Sequence, residues 1–281
     1  MRSSRQATLW GVRLSTLPIF ASLIFLFTFA WPALGQDSEQ VEVGPPPVHR
    51  VEPPPVGSSA RELEAVGDQL ESDKDYLDAI DYYLAALRKS PRSAVLMNKV
   101  GMSQLLLRRY KDALKSFDHA IKVDKTYANA YANTAVVYYQ QGSYPKSIKY
   151  YDKAIQLDDT QAVFYNNRAA SEFARKQFEK AMSDYNKALQ LDPDIFERAA
   201  RRAGVQAKLP SPADVAHYDY VLAKLFAENG SADRSLHYLK KAMEEGYPRI
   251  KDVYKDAEFG ELRKDPRFAE LMASKPVVVQ E

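Results

Sequence analysis

The sequence contains no cysteine. This absence excludes a disulfide framework, a thiolate metal site, a cysteine nucleophile and a lipidated cysteine anchor. Glycine is also scarce, with 11 residues in 281, and none of them forms a glycine-rich phosphate loop. The four histidines are scattered, and neither an HExxH zinc motif nor a GxSxG nucleophile elbow occurs. We therefore expect no catalytic residues, no bound metal and no cofactor.

An excess of charge of one sign is missing as well. Lysine and arginine total 39, and aspartate and glutamate total 37. Proteins that bind nucleic acid by neutralising phosphates carry a basic patch or stripe, and this balance provides no such field. The sequence therefore predicts that nucleic acid is not a partner. Hydrophobic residues make up 46% of the chain, which is enough to build a core.

The first 35 residues have the three parts of a secretory signal peptide. Their only charged residues are Arg2, Arg5 and Arg13, and no charged residue follows between Leu14 and Gln36. An apolar run inside that stretch precedes small residues, which predicts cleavage before Gln36. Because residues 14–31 are near the lower length limit for spanning a bilayer, a retained membrane anchor is the alternative. In both cases we expect the rest of the chain to be exported, periplasmic or secreted.

Residues 36–59 are rich in proline, with the runs Pro45–Pro47 and Pro53–Pro55. Proline fixes φ and removes a backbone donor, so such runs favour extended polyproline II structure. We interpret this segment as a stiff linker. A ligand for a proline-recognition domain is the alternative interpretation.

From Ala60 onward, residue types recur every 34 positions. Small residues form three series, namely Gly67, Gly101, Ala135 and Ala169; Ala79, Ala113, Ser147 and Ala181; and Ala86, Ala120, Ala154 and Ala188. Aromatic residues follow the same interval at Tyr83, Phe117, Tyr151 and Tyr185. Apolar spacings of three, four and seven predict two helices in each unit. Small side chains allow helices to approach closely, and neighbouring units must stack to bury their apolar faces.

These residues resemble the tetratricopeptide repeat family, which has small residues at repeat positions 8, 20 and 27 and an aromatic residue at position 24. Four units match this pattern, at residues 60–93, 94–127, 128–161 and 162–195. The resemblance implies an all-α, right-handed helix-turn-helix solenoid with C-terminal capping helices. A degenerate fifth unit is predicted at 216–249, after an inserted helix and proline-containing spacer at 196–215, and capping helices and a tail follow at 250–281.

The resemblance also implies a concave groove that is lined by the first helix of each repeat and holds a protein or peptide partner. The candidate groove residues are Asn98, Met102, Leu105, Asn129, Asn133, Val136, Tyr139, Asn166, Asn167 and Phe173. Asn133 and Asn167 resemble an asparagine ladder that grips extended peptides, although such amides can instead bond neighbouring helices. Glu64 and Asp68 would repel the C-terminal carboxylate that some family members bind.

The sequence therefore predicts an exported, non-catalytic scaffold that binds a peptide or helix of another protein in this groove. A membrane-tethered assembly factor is an alternative if residues 14–31 remain in the mature chain. An enzyme with an unrecognised site near residues 198–217 is a further alternative, with His217 as its best candidate residue.

Overall fold

The computed structural model describes residues 52–197 and 212–274, where all regular secondary structure is helical. In these ranges no helix combines the length and the apolar character that crossing a membrane requires. The predicted signal segment, most of the linker, most of the inserted helix Phe196–Lys208 and the end of the tail lie outside the described residues.

Eight helices form four consecutive pairs. They are α1 (Ala60–Ser72), α2 (Tyr76–Lys89), α3 (Ala94–Leu106), α4 (Tyr110–Val123), α5 (Ala128–Gln140), α6 (Tyr144–Leu157), α7 (Ala162–Ala174) and α8 (Phe178–Leu191). The first helix of every pair begins at the first residue of a 34-residue unit, and each helix packs against the one before it. This stack of helix pairs confirms the predicted all-α solenoid.

The packing of each pair depends on a small residue that faces a ring. Gly101 in α3 lies against Phe117 in α4, and a Cβ atom on Gly101 would come within 2.5 Å of the Cε1 atom of that ring. Gly67 and Tyr83 repeat the arrangement in the first pair at the same distance. Tyr83 and Phe117 are fully buried. A larger side chain at either glycine would therefore push the two helices apart.

The two helices of every pair are joined by the same turn. Lys74, Arg108, Gly142 and Lys176 occupy equivalent positions and have φ values of 69°, 57°, 70° and 60°. A backbone N–H beyond each of these residues reaches back to a carbonyl in the last turn of the first helix, as Asp75 does to Leu70. This left-handed ending satisfies carbonyl groups that the helix leaves unpaired.

The C-terminal part contains one more helix pair and a covering segment. The elements are α9 (Pro212–Glu228), α10 (Ala232–Glu244), three 3-10 turns (Ile250–Tyr254, Ala257–Phe259, Leu262–Lys264) and α11 (Pro266–Ala273). Buried Phe259 and Phe268 share a core with Ala223 and Leu239 of the helix pair. Most of this covering segment, where the sequence predicted capping helices, consists of 3-10 turns. The Asp265 side chain accepts a hydrogen bond from the Arg267 N–H, which caps α11.

Candidate functional site

The first helices of neighbouring units are joined by polar contacts at equivalent positions. The Lys99 Nζ atom in α3 lies 2.6 Å from Glu64 Oε1 in α1. One unit further along, Asn133 Nδ2 in α5 donates to Asn98 Oδ1 in α3 over 2.8 Å. Both contacts join position 6 of one unit to position 5 of the unit before. We call the surface formed by positions 2, 5, 6, 9, 12 and 13 of α1, α3, α5 and α7 the first-helix face.

The α1 end of the first-helix face carries excess negative charge. Lys99 also contacts Asp68 at 2.7 Å, and the Tyr83 hydroxyl donates to Asp68 Oδ1 and Glu71 Oε2, both at 2.9 Å. Two carboxylates, Glu64 and Asp68, thus contact one ammonium group, and the third, Glu71, is joined to Asp68 through the Tyr83 hydroxyl. Burial raises the pKa of Glu71, although the Tyr83 hydrogen bond opposes that shift. The acidic residues Glu64 and Asp68 were predicted to line this face, but their pairing with Lys99 was not. The available signal was the opposite charge of Lys99 and Glu64, which are 35 residues apart.

The amides of the predicted ladder bond to neighbouring side chains. Asn133 uses one N–H to reach Asn98, so the interhelical contact that was the alternative to peptide gripping is present there. Asn167 hydrogen-bonds with Tyr151 and accepts from Asn166 Nδ2 at 3.4 Å. A side-chain amide has two donors and an acceptor oxygen with two lone pairs. These bonds therefore fix the orientation of each amide and use only part of its bonding capacity.

The ten predicted groove residues differ in their exposure. Asn129 is exposed; Met102, Asn133, Val136, Asn166 and Asn167 are half-buried; and Asn98, Leu105, Tyr139 and Phe173 are buried. Phe173 packs against Phe178 with ring centroids 5.1 Å apart, and Tyr139 packs against Tyr144 at 5.3 Å. The buried group therefore shapes the surface from beneath. Only the exposed and half-buried residues are accessible for direct contact with a ligand.

A second concave region adjoins the fifth unit near His217, the candidate residue of the enzyme alternative, and its extent was not predicted from the sequence. A space of about 870 Å³, which we call the cleft, lies between α8, α9 and the 3-10 segment that begins at Ile250. His217 lines it, with its ring 4.2 Å from the ring of Phe178. Burial, followed by the charge of Arg249, lowers the pKa of His217. Its neighbours in the cleft are mostly polar or charged.

A partly buried ion-pair network lies between α6, α7 and α8. The Arg168 guanidinium donates to both carboxylate oxygens of Asp184, at 2.6 and 2.7 Å, and to Asp152 at 2.8 Å. The neighbouring Glu172 is 7% exposed, and burial together with the charge of Asp184 raises its pKa to about 7. In the described part of the chain, no group of three or more histidine, aspartate or glutamate side chains is arranged to hold a metal ion.

Comparison with known proteins confirms the repeats. The family model for the tetratricopeptide repeat matches residues 128–161 and 162–195. The chain therefore contains tetratricopeptide repeats, and the helix pairs of residues 60–93 and 94–127 have the same helix lengths and turn geometry as these two.

Two curated proteins and one solved structure are similar to parts of this chain. Small glutamine-rich tetratricopeptide repeat-containing protein 2 of Saccharomyces cerevisiae is 27% identical over 106 residues, which is 38% of this chain and 30% of that protein. Serine/threonine-protein phosphatase 5 of Rattus norvegicus is 32% identical over 101 residues, 35% of this chain and 20% of that protein. The chain thus spans less than a third of either relative. A thermophilic TPR protein of Thermus thermophilus has 18% identity and a TM-score of 0.47, with 76% of this chain and 100% of that chain covered.

Proposed function

We propose that this protein is a non-catalytic scaffold that binds an extended peptide segment of a partner protein along the first-helix face. The observation that carries the proposal is the row of interhelical contacts, from Lys99 to Glu64 and from Asn133 to Asn98. These contacts hold half-buried amides and apolar side chains in fixed positions on consecutive first helices. A preformed surface of this kind loses little side-chain freedom when a ligand binds.

The chemistry of the face suits a peptide backbone. Asn133 and Asn167 can each donate to a backbone carbonyl and accept from a backbone N–H, so they bind main chain without requiring a particular side chain. Met102 and Val136 are half-buried beside them and can cover apolar side chains of the segment. Helix α5 contains no charged residue, so the central part of the face favours an uncharged stretch of peptide.

Replacement of the two asparagines tests this proposal. The purified protein is used as bait to capture a partner from the exported fraction, and the captured partner is then titrated against purified variants by isothermal titration calorimetry. Asn133→Ala with Asn167→Ala should weaken binding by about 1 to 3 kcal/mol, since each alanine removes hydrogen bonds to the ligand. The control is Gln69→Ala with Gln156→Ala, which removes two exposed amides outside the first-helix face. Equal affinity in the two double variants would contradict peptide gripping.

We also propose that the chain is exported. The support for this proposal is the pattern of three arginines followed by the uncharged stretch of residues 14–36. The intact mass of the protein recovered from the exported fraction should correspond to a chain that begins at Gln36. An intact residue 1 in a membrane fraction would instead support the membrane-tethered alternative.

A further inference from the structure

We propose that the cleft is a second binding site, which takes a lysine or arginine side chain from a basic segment of a partner protein. This inference rests on the proposed scaffold function and adds the charge of the partner to it.

The residues of the fifth unit that are equivalent to the first-helix face line the cleft. When the unit is counted from Ala216, positions 2, 5, 6, 9 and 13 are His217, Tyr220, Val221, Lys224 and Glu228. All five line the cleft. The repeat register therefore assigns to this region the same ligand-facing positions as in the four preceding units.

Contacts between α8 and α9 define the walls of the cleft. Near the start of both helices, the rings of Phe178 and His217 touch. Further along, Asn186 donates to Glu228 Oε2 at 3.2 Å and accepts from Asn229 Nδ2 at 2.7 Å. The two helices are thus tied together at two levels, and the space beside them is held open by fixed side chains. A volume of about 870 Å³ accommodates a few residues of a peptide.

Aromatic rings form one wall of the cleft. Tyr220 and Tyr247 are stacked with centroids 4.5 Å apart, and His217 stacks on Tyr247 at 5.3 Å. Because both tyrosines are buried and cover each other's faces, this wall is a packed support rather than a free aromatic surface. Burial lowers the pKa of His217, which favours its uncharged form and so disfavours repulsion of a cation.

Carboxylates supply the groups that would bind a cation. Among the residues that the structure describes, the cleft is lined by five acidic residues, Glu179, Glu228, Asp252, Asp256 and Glu258, and by three basic residues, Lys187, Lys224 and Arg249. Two of the basic residues are already paired, since Lys224 lies 3.2 Å from Asp256 and 3.0 Å from Glu258, and Arg249 lies 2.6 Å from Asp252. The remaining negative charge favours a basic ligand over an acidic one.

The α1 end of the first-helix face has an excess of the same sign, because Glu64 and Asp68 contact Lys99 and a third carboxylate, Glu71, bonds to the neighbouring Tyr83 hydroxyl. A partner segment that carries positive charge is therefore compatible with both regions. An acidic segment would be repelled by both.

Two matched peptides test the inference. One fluorescein-labelled decapeptide alternates lysine with alanine, and the other alternates glutamate with alanine. Fluorescence anisotropy with the purified protein should show tighter binding of the lysine peptide, and this preference should shrink as the salt concentration rises. Glu228→Gln with Glu258→Gln removes two negative charges from the cleft and should weaken binding of the lysine peptide about three- to tenfold.

A control variant separates the cleft from net charge. Glu261→Gln with Glu270→Gln changes the net charge by the same amount at exposed positions that do not line the cleft, and it should leave affinity unchanged. Equal binding of the two peptides, or equal weakening in both variants, would overturn the inference.

The asparagine variant distinguishes this inference from the proposed function. If Asn133→Ala with Asn167→Ala abolishes binding of the lysine peptide while the cleft variant has no effect, the peptide binds the first-helix face and the cleft inference is wrong. Weaker binding in the cleft variant but not in the Glu261→Gln, Glu270→Gln control supports the cleft, whatever the result for the two asparagines.

Discussion

Single residues set the distance between the helices of this protein. Gly67 faces Tyr83 and Gly101 faces Phe117 at separations that leave no room for a methyl group. Ala135 and Ala169 continue the small series in the next two units and are fully buried. These pairs were predictable from the sequence because a fixed interval relates small residues to rings, and only close packing accounts for such a correlation.

The pair Gly101 and Phe117 provides a direct test of this packing. Gly101→Ala should lower the free energy of unfolding by about 1 to 2 kcal/mol, since overpacking a buried ring costs more than alanine gains in helix propensity. Chemical denaturation measures the change. Gly57→Ala serves as the control, because no heavy atom lies within 4 Å of its new Cβ. A stabilised Gly101→Ala variant would show that the two helices are not in close contact.

Glu172 should make stability depend on pH. Its pKa is raised from 4.5 to about 7 in the folded state by burial and by Asp184, while the charges of Arg168 and Lys180 oppose the shift and Asp152 adds to it. The folded protein therefore holds this proton more tightly than the unfolded chain does. Stability is consequently lost as the pH rises from about 4.5 to about 7, by up to about 3 kcal/mol.

Glu172→Gln should remove this loss. Thermal melts of the variant and the original protein at several pH values should show a difference that grows between pH 4.5 and pH 7 and is constant above. Glu179→Gln, a change of the same type at an exposed site, should not reproduce that trend. A difference that is the same at every pH would contradict the burial of Glu172.

At the level of helices, the regular spacing predicted where each pair begins but not how its two helices are joined. Among the first four helix pairs, only the turn at Gly142 is marked by a glycine, whereas Lys74, Arg108 and Lys176 adopt the same left-handed conformation without being glycine. A left-handed conformation costs a residue other than glycine about 1 to 2 kcal/mol. The packing of each helix pair offsets that cost, so lysine and arginine can occupy this position. The residue type there does not predict the left-handed turn.

The crossing of α8 with its neighbours should be sensitive to volume. Ala188 is fully buried in a core that includes Tyr185 and Phe196, so Ala188→Leu should cost about 1 to 3 kcal/mol of stability. Ala269→Leu makes the same substitution at an exposed position of α11, and it should change the melting temperature little. Similar melting of the two variants would mean that the repeat register assigned to α8 is wrong.

The cleft shows what the sequence could not provide. The displaced register of the fifth unit follows from the positions of small and apolar residues, and Ala216 and Ala223 of that unit are buried. The cleft depends instead on the separation between α8 and α9 and on the pairing of Lys224 with residues more than thirty positions later. Such long-range distances are not encoded in a local repeat pattern.

In the described part of the chain, the proposed binding regions differ from one another in charge. Carboxylates outnumber basic groups at the α1 end and in the cleft, while α5 between them in sequence has no charged residue. The residue types of the first-helix face were predictable from the family resemblance. Their exposure and mutual bonds were not, because Asn98, Leu105, Tyr139 and Phe173 turn inward to pack.

Hydrogen–deuterium exchange with and without the captured partner locates the binding surface most directly. If the partner lies along the first-helix face, its binding should slow amide exchange in α3, α5 and α7, since contact with the ligand opposes local opening of these helices. Exchange in α2, α4 and α6 should change less. Protection confined to the second helices, with α3, α5 and α7 unaffected, would contradict the proposal that the first-helix face is the binding surface.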